Sequence, residues 1–180
     1  LRWVRHNAPC EVVHFIITWR STNQNAFQLN HDALNVNDDT VTIRIGHSPD
    51  PDDAFMFHAL TNGAIDTGNR RYEHVLVDID TLNREAEMGS FEVSAVSIHS
   101  YPKIADSYYL MNCGASMGEG YGPILISKDE MSVEEANRSV IAVPGKSTSS
   151  YLALVLALGE VDVVEVPFDQ ILPGVLDGKY

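Results

Sequence analysis

The chain has 180 residues, enough for one domain or two small lobes, and at 44% hydrophobic and 21% charged it has ordinary globular composition. A formal net charge of -13 argues against nucleic-acid backbones and anionic membranes as main partners. No apolar run approaches the roughly 20 residues that span a bilayer, and "VVHFII" is too short for an export-signal core and precedes no A-x-A-like site, so a cytoplasmic protein is expected.

Residues 1–40 differ from the rest. They carry both tryptophans, the Asn/Gln-rich stretch "STNQNAFQLNHDALNVNDD" and one strand-like run, "EVVHFIITW". With little patterned apolar content, they are expected to be an extension outside the core, disordered or not native to the fold.

From Val41 the pattern is regular. "VTIRIG" alternates branched apolar residues up to a glycine and predicts a strand. "HSPDPDD" reads as a turn and "DAFMFHALTNG" as a short helix ending at Gly63. Then come a strand "HVLVDI", a helix "DTLNREAEMG", a strand "VSAVSI", a helix "SYPKIADSY" and a strand "YYLMNC". The glycine-rich "GASMGEGYG" (Gly114, Gly118, Gly120, Gly122) has no G-x-G-x-x-G spacing; it suits a backbone crossing between lobes. Beyond it lie a strand "PILISK", the helical or turn-like "MSVEEANR" and a strand "SVIAV". The helix "STSSYLALVLALG" is apolar on nearly every side and is expected to be buried, and a strand "VDVVEV" and a helix start "FDQILPGVLDG" follow it. Strands alternating with helices define an α/β protein with a largely parallel sheet.

In open α/β sheets ligands bind where strand ends turn into helices, and three such turns stand out. In "GHSPDPDDAFMF", Asp50, Asp52 and Asp53 lack the D-x-D-x-D-G pattern of a calcium loop; helix capping is their expected role, with His47 or Ser48 lining a ligand site as the alternative. In "SAVSIHSYP" the strand runs out at Ser97 and His99. No G-x-S-x-G elbow accompanies them, so a ligand-binding serine or a simple turn cap is expected rather than a hydrolase. His47, His58, His74 and His99 show no zinc-ligand spacing, and Cys10 and Cys113 match neither a metal nor a redox motif, so two free thiols and no metal are expected.

The third turn, "VPGKSTSS", ends like a nucleotide-binding loop. A G-x-x-x-x-G-K-[ST] loop needs a glycine five positions before Gly145, where this chain has Val140 in an apolar strand. The P-loop reading therefore fails. Instead Ser147, Thr148, Ser149 and Ser150 open a helix whose free N–H groups and dipole suit an oxyanion or a hydroxylated ligand, against the plainer reading of a Ser/Thr N-cap.

Six blocks carry a family resemblance in order and spacing: "IGHSPDPDDAFMFHAL", "DIDTLNREA", "VSAVSIHSY", "GASMGEGYGPIL", "IAVPGKSTSSYLALVL" and "ILPGVLDG". Together they resemble the 1,4-dihydroxy-6-naphthoate synthases of the futalosine route to menaquinone, from about Thr42 to Gly178. The resemblance implies a two-lobed periplasmic-binding-protein-like type II fold, with a first lobe over 41–127 and a second begun at 128–180 and truncated. It implies conversion of the small molecule cyclic dehypoxanthine futalosine to 1,4-dihydroxy-6-naphthoate, and no residue pattern in the chain calls for a cofactor. Carried over by position, the substrate contacts are Ala95, Val96 and Ser97, then Ser149 and Ser150. The family usually has threonine and alanine at the second of these sites, and a basic or polar residue where Ala95 stands. The family's proton-accepting histidine is expected on a strand beyond Tyr180, so the chain reads as an incomplete enzyme and its catalytic base is unknown. A non-catalytic solute-binding protein and a chorismate dehydratase-like sibling are the alternatives.

Overall fold

A computed structural model describes residues 2–3, 12–20, 40–118 and 122–180. Cys10, Gly120 and most of the N-terminal extension lie outside the described residues. Two N-terminal strands come first, β1 (Arg2–Trp3) and β2 (Val12–Arg20). Strand β3 (Val41–His47) leads into helices α1 (Pro51–Met56) and α2 (His58–Thr61). Strand β4 (Arg70–Leu76), helix α3 (Ile79–Glu87), strand β5 (Val93–Val96), helix α4 (Tyr101–Ile104) and strand β6 (Tyr108–Gly118) follow. The remainder is β7 (Ile126–Ser127), α5 (Val133–Ala136), β8 (Ile141–Val143), α6 (Ser149–Leu158), β9 (Val163–Glu165) and α7 (Phe168–Leu176).

The chain divides into two compact units. One comprises Ile16–Val96 and Tyr101–Gly114; the other comprises Ser97–Ser100 and Ala115–Tyr180 with the N-terminal residues up to Phe15. The first unit is organised on a five-stranded sheet of order β4-β3-β5-β2-β6. β3 is parallel to β4 through a seven-residue register from Val41↔Arg70 to His47↔Leu76, and parallel to β5 on its other side. Ile43, Ile45, Val93, Ala95 and Val96 are buried in this sheet, as expected of strands flanked on both edges. α3 packs on it. Asp78 caps that helix by accepting the Thr81 N–H at 3.0 Å, and Leu82 and Ala86 on its inner side are buried. Tyr108 is fully buried, and its hydroxyl donates to the Phe91 carbonyl at 2.7 Å, satisfying the one polar atom its burial brings in.

The second unit holds two two-stranded sheets, β1-β7 antiparallel and β8-β9 parallel. α5 carries a capping box. Ser132 accepts the Glu135 N–H, and the Glu135 carboxylate accepts the Ser132 N–H.

Three expectations are corrected. β4 starts four residues earlier than "HVLVDI" and stops at Leu76, because Asp78 is taken up as the α3 cap. α6 is not buried on most sides: only Ser149 is buried, and Leu156 is 78% exposed, because no described element covers that face. Within the extension, the strand-like run is a strand, β2, and it stands inside the sheet: Thr18 is fully buried and donates to the Ser94 carbonyl at 2.9 Å.

Candidate functional site

Two polar clusters form at strand ends, one in each unit. In the first, β3 ends at His47 and the chain turns through Ser48 into α1. Asp53 is fully buried, and its carboxylate accepts the Ser48 N–H at 2.5 Å, folding the turn back on the helix start. Burial raises the Asp53 carboxyl to about 6; the Ser48 hydrogen bond opposes that rise and the Asp52 and Asp50 charges add to it. Asp53 thus ties turn to helix from inside α1. Asp50 stands at the N-cap position without a side-chain cap bond, so capping is not what these aspartates share.

His47 is buried, stacked on Phe57 with ring centroids 4.4 Å apart, and hydrogen-bonded through Nε2 to His74 Nδ1 at 2.9 Å. Its Nδ1 lies 3.0 Å from the Ser48 carbonyl, which can only accept, so that nitrogen carries the proton. The neutral His47 Nε2 then accepts from His74 Nδ1–H, and His74 Nε2 is left as a lone pair. That atom is buried without a hydrogen-bond partner, as is Asp53 Oδ1. Burial lowers both histidines' pKa values, holding the pair neutral; in His47 the Ser48 bond opposes this. Sequence spacing alone did not reveal this pair. The parallel register sets His74 opposite Ile45, two residues from His47 on the same face of neighbouring strands.

The second cluster joins the Ser97–Ser100 turn and the β8–α6 turn. Ser97 is buried at the end of the β5 segment, and its carbonyl accepts the Ser100 N–H at 2.9 Å. The His99 ring lies 6.3 Å from that of Tyr151 on α6, centroid to centroid, tilted by 32°. At the α6 start, one of the four hydroxyls is the N-cap. Thr148 is buried, donates to the Gly145 carbonyl at 2.7 Å and accepts the Tyr151 N–H at 3.3 Å. Ser150 Oγ sits 2.9 Å from the Thr148 hydroxyl, and Ser149 is buried as the first helical residue. The capping reading of this turn holds for Thr148, and Ser149 and Ser150 are the hydroxyls next to it.

Lys146 is exposed, and its N–H faces the Glu165 carboxylate at 3.4 Å. An acidic oxygen against that amide is the reverse of what a phosphate loop presents. Ala95 and Val96 are fully buried and their backbones pair with Ile17 and Ile16 of β2, so neither presents an exposed atom in this structure. Among the described residues no group of three or more His, Cys, Asp or Glu could hold a metal ion, and no helix is long and apolar enough to cross a membrane.

Parallel strands whose C-terminal ends turn into helix starts with polar clusters define an α/β protein. Residues 43–180 match the profile of the family described as menaquinone biosynthesis, and the chain belongs to that family. It is 36% identical over 137 residues to a 1,4-dihydroxy-6-naphthoate synthase of Thermus thermophilus, covering 76% of this chain and 49% of the relative. A 1,4-dihydroxy-6-naphthoate synthase of Streptomyces coelicolor is 34% identical over 144 residues, covering 77% and 50%. An X-ray crystal structure of an Archaeoglobus fulgidus protein superposes with a TM-score of 0.71 at 46% identity, covering 77% of this chain and 51% of that one. The chain thus spans about half the length of the relatives it matches.

Proposed function

We propose that this chain carries the substrate-binding portion of a 1,4-dihydroxy-6-naphthoate synthase acting as a lyase on cyclic dehypoxanthine futalosine, in a two-lobed periplasmic-binding-protein-like type II fold in the cytoplasm. The observation that carries the reading is the pair of curated synthase relatives, together with the presence of both hydroxyl-bearing turns inside the matched residues 43–180. In this reading Ser97, at the end of the strand that carries the buried Ala95 and Val96, holds one part of the substrate. Ser149 and Ser150 hold another at the start of α6, where the first-turn N–H groups and helix dipole favour a carboxylate. Proton abstraction needs a base near neutral pKa, and the resemblance assigns it to a histidine outside residues 1–180.

A chimera tests this. Residues 43–180 replace the matching part of the Thermus thermophilus synthase, and turnover of cyclic dehypoxanthine futalosine is measured beside calorimetric binding. Substrate binding weakened by roughly tenfold to a hundredfold by Ser97→Ala and Ser149→Ala together, with turnover at low substrate falling in step, is expected. A folded chimera that binds this substrate but never turns it over would point instead to a solute-binding protein, and one that prefers chorismate-derived ligands to the dehydratase sibling.

A further inference from the structure

β4 and β6 are the two edges of the five-stranded sheet, and among the described residues each has a neighbouring strand on one side only. Such an edge offers a row of peptide N–H and C=O groups to any strand that can approach, and charged side chains on it keep strands away. The two edges differ in this respect. β4, "RRYEHVL", carries Arg70, Arg71 and Glu73. β6, "YYLMNCGASMG", has no charged residue and no proline in 11 positions, in a chain that is 21% charged. Its side chains are open as well. Tyr108 is fully buried, but Tyr109 is 64%, Leu110 43% and Met111 40% exposed, and Cys113 is exposed. Successive strand residues point to opposite faces, which puts Tyr109, Met111 and Cys113 on one face of the sheet and Leu110 on the other. A helix laid on the sheet would cover one face. A strand set beside the edge meets side chains on both faces and pairs the free peptide groups too.

We infer that the β6 edge, over its part in the first unit, Tyr108–Gly114, is a dimerisation surface on which a second copy of this chain lays its own β6 antiparallel. Charge selects the second copy. At a net charge of -13 two copies repel over most of their surface, and this uncharged strand lets them meet without opposing like charges, while it holds nothing that would draw a basic partner. Antiparallel edge pairing is also self-complementary, so one two-fold axis closes the assembly at two chains. Directly opposite residues share a face, so the axis passes through a residue that meets its own copy; at the midpoint of Tyr108–Gly114 that residue is Met111. Tyr109 of one copy then lies opposite Cys113 of the other, and Leu110 opposite Asn112, which covers the exposed apolar groups of both faces. A single strand pair buries less than the roughly 1,200 Å² of a standard stable interface, so the dimer forms at micromolar concentration. None of this depends on which substrate the site takes.

Sedimentation velocity of the full chain under reducing conditions, from about 1 to about 300 µM, tests the inference. Monomer at the low end and dimer at the high end are expected. A monomer throughout overturns the proposal, and so do assemblies that keep growing past two chains. Met111→Lys sets two like charges at the axis and should weaken the dimer at least about tenfold. Dimerisation unchanged by it would put the contact on another surface and overturn the assignment. A second variant serves if Met111→Lys does not fold: Met111→Cys with Cys10 and Cys113 replaced by serine. Directly opposed residues of paired strands are within disulfide reach, so oxidation at the dimer concentration should give a covalent dimer. A folded protein that stays without a cross-link overturns the pairing.

Discussion

His47 Nε2 and His74 Nδ1 meet at 2.9 Å in a one-way chain that begins at the Ser48 carbonyl and ends at a buried lone pair. Only one proton arrangement fits the neutral pair, and burial keeps it neutral. Removing the His74 ring strands His47 Nε2, whereas removing both rings moves the loss to the Ser48 carbonyl, which no longer receives the His47 N–H. His74→Leu alone should therefore destabilise by about 1–3 kcal/mol, while the cost of His47→Phe with His74→Leu should fall short of the sum of the two single changes, since the contact between the rings is counted once and a phenyl ring keeps the stack on Phe57. A denaturant-based double-mutant cycle reads the coupling; additive effects would show that the 2.9 Å contact contributes nothing.

The same pair sets an acid limb. Folded-state pKa values lie below the ordinary 6.5, so the pair's contribution is present above pH 6.5 and is lost as pH falls through the lowered values. The double variant should lack this limb in melting temperatures taken from about pH 7 to about pH 5. An unchanged acid limb would place its origin elsewhere.

Asp53 runs the other way. Its folded pKa of about 6 lies above the ordinary 3.8, so its contribution is present below pH 3.8 and is lost as pH rises through 6. The difference, about 2 units, corresponds to at most about 3 kcal/mol lost by neutral pH. Asp53→Asn keeps an acceptor for the Ser48 N–H and cannot ionise. Between about pH 4 and pH 6 its stability should fall less steeply than the parent's, with an equal or higher melting temperature at neutral pH. Comparing variant with parent cancels the histidines, and identical slopes would mean Asp53 does not titrate in this window.

Gly46 lies in β3 where an added Cβ would stand 2.8 Å from both Leu82 Cδ2 and Phe91 Cδ2. Gly46→Ala should cost about 1–3 kcal/mol through overpacking. Trimming the obstruction with Leu82→Val should then cost less in the alanine background than alone. Equal cost in both backgrounds would show that the two sites do not press on each other.

How far the sequence carried this structure depended on whether a feature was local. The β3 alternation and the strand-to-helix turn at Pro144–Ser150 are written in neighbouring residues, and the structure has both. β4 was partly hidden because it begins "RRYE". It lies at the edge of the sheet, where charged residues suit a strand with one neighbour, and the pattern reads as apolar only from His74. The histidine pair and the place of β2 in the sheet were invisible for a different reason. Both depend on register between segments 27 and 76 residues apart, and no local period encodes that. The exposed side of α6 shows the converse: an all-apolar helix says it needs cover, not that the cover is in the same stretch of chain.

The hydroxyls of the β8–α6 turn can be separated by what each already does. Thr148 is the cap, so Thr148→Ala should cost about 1 kcal/mol of stability whether or not ligand is present. Ser149 and Ser150 are the proposed ligand contacts, and one lost hydrogen bond of about 0.5–1.5 kcal/mol corresponds to roughly threefold to tenfold weaker binding. Ser149→Ala should therefore weaken substrate binding by that factor in the chimera while moving the melting temperature less than Thr148→Ala does. Lys146→Ala should change neither, since Lys146 is exposed and its amide faces the Glu165 carboxylate rather than an open anion site. Calorimetric titration with cyclic dehypoxanthine futalosine and with ATP distinguishes the cases. Substrate affinity untouched by Ser149→Ala would remove this turn from the site, and tight ATP binding abolished by Lys146→Ala would restore the nucleotide loop that the spacing from Val140 to Gly145 rejects.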